Sequence, residues 1–276
     1  MGKIELSSLQ KRVLTSLIMI PLVVGALWLG HPYIDIVIFL VGALLSWEWA
    51  TMVPNKNTCV YAVCYTFLIG CSLIIFDRTT LFLLLILSSL FIYFKASDEE
   101  HRRLLTLGAP YITIGVGSLY WIYYLLDSFG NIPNEKGSFV MTLWFIAMVW
   151  SVDIGGYVVG STVKGPKLAP KISPNKTWSG LIGGIILAVA VSFIYMIVVK
   201  SIYDLPISIS IQLKFAQLAA LIAVVAQIGD LCESAIKRYL KIKDSSSLIP
   251  GHGGIFDRID GLIFAAPFMY LLFSFI

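Results

Sequence analysis

Two short stretches of the sequence hold most of its chemistry-bearing side chains. In the first, Asp153 is followed by Lys164, Lys167 and Lys171 and then by Ser173, Lys176 and Thr177. In the second, Asp230, Ser234, Lys237 and Arg238 lead to Lys243 and then, past a glycine run containing Gly253 and Gly254, to Asp257, Arg258 and Asp260. Carboxylates, hydroxyls and fixed cations in that mixture suit chemistry on phosphates, with acids for a hard metal ion and bases for phosphate oxygens.

The spacing sharpens this reading. On a helix, Asp230, Ser234 and Lys237 fall at i, i+4 and i+7, so carboxylate, hydroxyl and ammonium share one stripe. Asp257 and Asp260 share a face at i, i+3. Magnesium takes few protein carboxylates and leaves positions for substrate phosphates, so Asp230 and Asp257, converging from two helices on a nucleotide triphosphate, are candidate metal ligands. The same acids could instead neutralise Lys237, Lys243 and Arg258 in a structural salt network, and spacing alone leaves both readings open. Ser173, Lys176 and Thr177 precede a helix start, where hydroxyl, ammonium and free backbone N–H groups can meet on an anion. Lys164, Lys167 and Lys171 read equally well as topogenic charge. Gly253 and Gly254 let the backbone approach a ligand closely, and His252 between glycines reads as structural. Asp153 lies near the end of an apolar span, where a carboxylate is costly unless paired or facing a wet cavity. Gly156 and Gly160 form a small-residue face of the kind that packs helices.

The elements that carry these residues are apolar helices. Of 276 residues, 58% are hydrophobic and 13% charged, with a mean hydropathy of +0.87, which excludes an ordinary soluble domain. A hydrocarbon core about 30 Å thick needs roughly 20 apolar residues per span. Nine such runs are expected: Val13 to Leu29, Ile34 to Val53, Val60 to Phe76, Leu81 to Phe94, Ala109 to Leu126, Phe139 to Gly160, Leu181 to Val199, Phe215 to Ile228 and Ile259 to Ile276, the fourth and eighth short. The fold class is all-α and polytopic. The first run has no small-residue cleavage site and reads as a retained helix. Cys59, Cys64, Cys71 and Cys232 lack metal or disulfide spacing.

With the N-terminus inside, 16 of the 20 lysines and arginines fall on the inner side, all but Arg78, Lys136, Lys200 and Lys214, as the positive-inside bias requires. Both polar stretches are then internal. With no repeat and no soluble insertion, residues 1–276 read as one membrane domain, with 1–137 mainly structural and 138–276 catalytic.

These residues are where the chain resembles the phosphatidate cytidylyltransferases, or CDP-diacylglycerol synthases. The pattern S-x-aliphatic-K-R-x4-K-D, then x-small-x2-aliphatic-small-x-H-G-G-aliphatic-x-D-R-x-D, is met in full from Ser234 to Asp260. The stretch from Ser173 to Trp178 is similar to a second family motif, although Asn175 and Ser179 stand where that motif has lysine and glutamate. The resemblance implies transfer of CMP from CTP to phosphatidate. Asp230, Asp257 and Lys237 are then catalytic, and Asp230, Asp257 and Asp260 hold Mg2+, alone or with a second cation. Asp153, Ser173, Lys176, Thr177, Ser234, Arg238, Lys243, Gly253, Gly254 and Arg258 are expected to contact substrate. It further implies a homodimer among membrane lipids, a bacterial-type inner membrane with the site on the cytoplasmic side, and no nucleic-acid partner. The rivals are another membrane phosphotransferase, acting on a polyprenyl phosphate or with another nucleotide, and a transporter, against which the clustering of charge at one face weighs.

Overall fold

The structure, a computed structural model, describes residues 8–75, 77–96, 99–125, 136–249 and 253–274. Lys3 and His252 lie outside these, as do Phe76, Leu126 and Ile276, which end three of the expected spans. Nine helices occur among the described residues: α1 (Ser8–Leu29), α2 (Tyr33–Met52), α3 (Thr58–Ile74), α4 (Arg78–Lys95), α5 (Arg102–Leu125), α6 (Gly137–Thr162), α7 (Trp178–Tyr203), α8 (Ile209–Tyr239) and α9 (Phe256–Ser274). Each overlaps one of the nine apolar runs. Five of them, α2, α5, α6, α7 and α8, are long and apolar enough to cross a membrane. Large apolar side chains such as Phe67, Phe82, Leu87 and Phe94 are exposed, as expected where lipid rather than water is the solvent.

Two departures from the sequence reading matter for the site. The eighth helix is not short: α8 has 31 residues and continues as one helix beyond its apolar part to carry Asp230, Ser234 and Lys237. The fold also holds a small sheet. Strands β1 (Lys167–Ala169) and β2 (Ser173–Thr177) pair antiparallel, with Lys167 opposite Thr177 and Ala169 opposite Ser173, so Ser173 and Lys176 sit on a hairpin that runs directly into α7.

The chain forms two compact units, one of residues 1–120 with 240–259, the other of residues 121–239 with 260–276. In the first, Trp49 of α2 is fully buried. Its indole N–H donates to the Leu104 carbonyl at 3.1 Å, and its ring lies 5.5 Å from those of both Tyr111 and Phe256. Tyr65 of α3 donates to the Leu105 carbonyl at 2.6 Å. Each polar tip of these buried aromatics thus has a backbone partner, as a dry interior demands.

In the second unit, α6 and α7 pack through glycines. A Cβ on Gly155 would stand 2.7 Å from the Gly183 carbonyl oxygen, and one on Gly184 would stand 2.8 Å from that of Val152. Backbones approach this closely only where small residues line the seam, which is how helices associate when lipid removes the hydrophobic drive between them. The Gly156 and Gly160 face is part of this seam, against Gly180 and Thr177. Trp144 adds a polar tie by donating to Ser192 Oγ at 3.0 Å.

Candidate functional site

The hairpin and α8 bring charge together in the second unit. Thr177 is the N-cap of α7, its hydroxyl accepting from the Gly180 N–H at 3.1 Å. That cap satisfies one of the orphan donors of the helix start and fixes the end of β2, where Lys176 is the preceding residue. The Lys176 ammonium forms an ion pair with Asp230 Oδ2. One turn further along α8, Ser234 donates to Asp230 Oδ1 at 3.4 Å. Lys237 pairs with Glu233 Oε2 at 2.6 Å, and Glu233 is only 1% exposed. Arg238 donates through Nε to the Ile172 carbonyl at 3.2 Å, tying the end of α8 to the hairpin turn. Ser173 is half-buried on β2.

Asp230, Glu233 and Asp260 each offer a carboxylate oxygen, and these oxygens lie within 4.8 Å of one another. Asp260 accepts from the Gly261 N–H at 2.7 Å. Asp153, exposed on α6, is within electrostatic reach of it. Three carboxylates thus lie together, with Lys176 paired to Asp230 and Lys237 paired to Glu233. Glu233 is the member that the sequence reading missed. Its signal was its position four residues before Lys237 on one helix face.

The glycine-rich stretch is organised in the first unit. Asp257, in the first turn of α9, accepts from the Ser245 N–H at 2.9 Å, the Ser245 hydroxyl at 3.1 Å and the Gly254 N–H at 2.9 Å. Gly253 has φ +85°, a left-handed conformation that side chains disfavour, and a Cβ there would lie 2.8 Å from Asp257 Oδ2. A Cβ on Gly254 would collide with Ser245 Oγ. Both glycines therefore serve close approach of the loop to its own acids. Lys243 and Arg258 are exposed. The sequence reading paired Asp257 with Asp230 as metal ligands; Asp257 takes its donors from Ser245 and Gly254 in the first unit, and Asp230 its partners from Lys176 and Ser234 in the second.

The cytidylyltransferase family profile matches residues 10–276. The chain belongs to this family. The match runs over nearly the whole length, and curated relatives agree. A phosphatidate cytidylyltransferase of Brucella suis is 32% identical over 270 residues, covering 96% of this chain and 93% of that protein. One from Haemophilus influenzae is 31% identical over 300 residues, covering 97% and 99%. One from Bacillus subtilis is 42% identical over 127 residues, covering 46% and 45%. Lys176 of the hairpin, Lys237 and Asp260 of the cluster, and Asp257 with its glycine loop all lie within the two stretches that carried the resemblance.

Proposed function

We propose that this chain transfers the CMP moiety of CTP to phosphatidate, giving CDP-diacylglycerol and pyrophosphate. The observation that carries the reading is the cluster of Lys176, Asp230, Glu233, Lys237 and Asp260, in a chain that belongs to the cytidylyltransferase family along nearly its entire length. An oxygen of the phosphatidate phosphate attacks the α-phosphorus of CTP. A new P–O bond forms, the bond from the α-phosphorus to the bridging oxygen breaks, and pyrophosphate leaves with the electron pair. No general base is required, because a phosphomonoester with a second pKa of about 6 is already largely dianionic at neutral pH. Catalysis reduces to positioning and charge stabilisation.

Each residue then has a bounded task. Lys176 and Lys237 offset the acids beside them, and the same ammonium groups meet phosphate oxygens when substrate enters. Ser173, Thr177 and Ser234 contribute hydroxyls around them, and Arg238 holds the hairpin against α8. Lys243, Arg258 and the backbone of Gly253 and Gly254 are assigned to the triphosphate or the lipid phosphate, and Asp153 to the rim of the cluster.

Magnesium fits the donor set, since carboxylate oxygens are its preferred protein ligands. Asp230, Glu233 and Asp260 would hold it, with Asp257 assigned by the resemblance, alone or with a second cation. Bound there, the ion would neutralise developing charge on the phosphates. The nine helices are assigned to nine spans with the N-terminus inside, in a bacterial-type inner membrane. CTP then reaches the polar stretches from the cytoplasm, while the acyl chains of phosphatidate stay among membrane lipids. One membrane domain and a homodimer are the assembly proposed.

The test uses the purified protein in detergent with phosphatidate and each of the four ribonucleoside triphosphates, with magnesium or a chelator. Pyrophosphate release with CTP alone, dependent on lipid and metal and matched by CDP-diacylglycerol, is expected. Release with another nucleotide would reassign the substrate. No release with any nucleotide would overturn the reading.

A further inference from the structure

Glu48 lies in α2, inside an apolar run, and is 1% exposed. Its carboxylate accepts from the Ser246 hydroxyl at 2.6 Å, the Ile255 N–H at 2.9 Å and the Phe256 N–H at 2.7 Å, with the Ser245 hydroxyl at 3.5 Å. All four donors belong to the segment that carries Asp257, some 200 residues later in the chain. Ile255 and Phe256 supply two of the N–H groups at the start of α9, the donors that a helix leaves without an intrahelical partner.

Ending α9 does not require this arrangement. Asp257 accepts from the Gly254 N–H just before the helix, and the free N–H groups of a helix start are ordinarily met by a neighbouring hydroxyl or amide. A carboxylate withdrawn from water is costly to keep unless several donors hold it. Here the donors are shared between two acids. Ser245 gives its N–H to Asp257, and its single hydroxyl proton can reach either Asp257 or Glu48. Gly254, whose Cβ would strike Ser245 Oγ and stand 2.8 Å from Glu48 Oε1, lets the two carboxylates close on the loop. Glu48 and Asp257 therefore grip the same turn and the same helix start.

We propose that Glu48 is a positioning residue for the nucleotidyl transfer, fixing the Ser245–Ser246 turn and the first residues of α9 so that Asp257 and Arg258 are presented in a single geometry. The proposal rests on the function stated above. Misplacing a reacting or orienting group by about 1 Å can lower turnover on the order of 100-fold, and Glu48→Gln, which keeps the shape but replaces one acceptor oxygen with an NH2 facing backbone donors, produces a shift of that kind.

The experiment compares full-length wild type, Glu48→Gln, Glu48→Asp and Ser246→Ala in detergent. It reads kcat and KM for CTP, melting temperature, and backbone hydrogen exchange in peptides covering Ser245–Phe256 against peptides from α3. For Glu48→Gln the expectation is faster exchange at Ser245–Phe256 only, an unchanged α3, and kcat lowered on the order of 100-fold. Glu48→Asp, which retains two acceptor oxygens, recovers part of kcat, and Ser246→Ala falls between. Full kcat in Glu48→Gln, or loosened exchange with full kcat, overturns the proposal. Should Glu48→Gln unfold throughout, Ser246→Ala decides, and wild-type kcat there overturns it too. A wild type inactive with every nucleotide would sink the proposed function instead, and the exchange of Ser245–Phe256 would still report whether Glu48 holds the loop.

Discussion

At the scale of single residues, the two lysine–carboxylate pairs differ in what they do for the fold. Lys237 and Glu233 are 12% and 1% exposed, whereas Lys176 and Asp230 are 21% and 27% exposed. Removing one partner of a buried pair strands a charge and costs roughly 3–5 kcal/mol; a more solvated pair contributes under about 1 kcal/mol. Lys237→Met should therefore lower both stability and turnover, and Lys176→Met should lower turnover with little change in stability. Adding Glu233→Leu to Lys237→Met should restore the melting temperature without restoring CDP-diacylglycerol formation. Recovery of activity in that double variant would return the α8 cluster to the purely structural salt network that spacing left open. The stripe of Asp230, Ser234 and Lys237 was legible because helical periodicity places those three types on one face. Glu48 was not, because a single glutamate in an apolar run has no periodic partner. Its only signal is that an ionisable group in such a run is expensive, and the partners that explain it are brought by tertiary contacts.

At the scale of elements, what sets Lys176 in place is the seam between α6 and α7. The hairpin leaves α6 and re-enters α7 through the Thr177 cap, so a shift along that seam carries the lysine with it. Gly184→Ala puts a methyl 2.8 Å from the Val152 carbonyl oxygen, a backbone atom that cannot swing aside. Overpacking of this kind costs roughly 1–3 kcal/mol, read as a lower melting temperature in detergent, and turnover should fall with it. Gly25→Ala in α1, where the new methyl meets nothing within 4 Å, should leave both within experimental scatter. The G-x-x-x-G face of α6 was legible as a packing surface from spacing. The hairpin was not, since strands of three and five residues containing Pro174, Lys167, Asn175 and Lys176 show no alternation of apolar and polar side chains. The full length of α8 was missed for the opposite reason: apolarity marks where a helix meets lipid, whereas hydrogen bonding continues the helix into its polar end.

At the scale of the whole molecule, the helices follow the apolar runs almost one for one, because in lipid every backbone polar group must be satisfied within its own segment. The sidedness proposed for them rests on the lysine and arginine bias alone. The division into units adds what hydropathy could not give: residues 240–259, with the glycine loop and Asp257, group with the first 120 residues. The front helices therefore hold part of the family signature, through Glu48 and Trp49 of α2. The charge bias makes a further claim that can be measured. Lys171, exposed between β1 and β2, and Lys200, exposed near the end of α7, belong to opposite faces if α7 spans the bilayer and the N-terminus is inside. In a background with the four cysteines replaced, Lys200→Cys should react with a membrane-impermeant maleimide added to right-side-out vesicles, and Lys171→Cys should react only after the vesicles are opened. Labelling in the reverse order would invert the topology and put the acid–lysine cluster on the face that CTP does not reach, so the substrate assignment and the orientation stand or fall on one pair of cysteines.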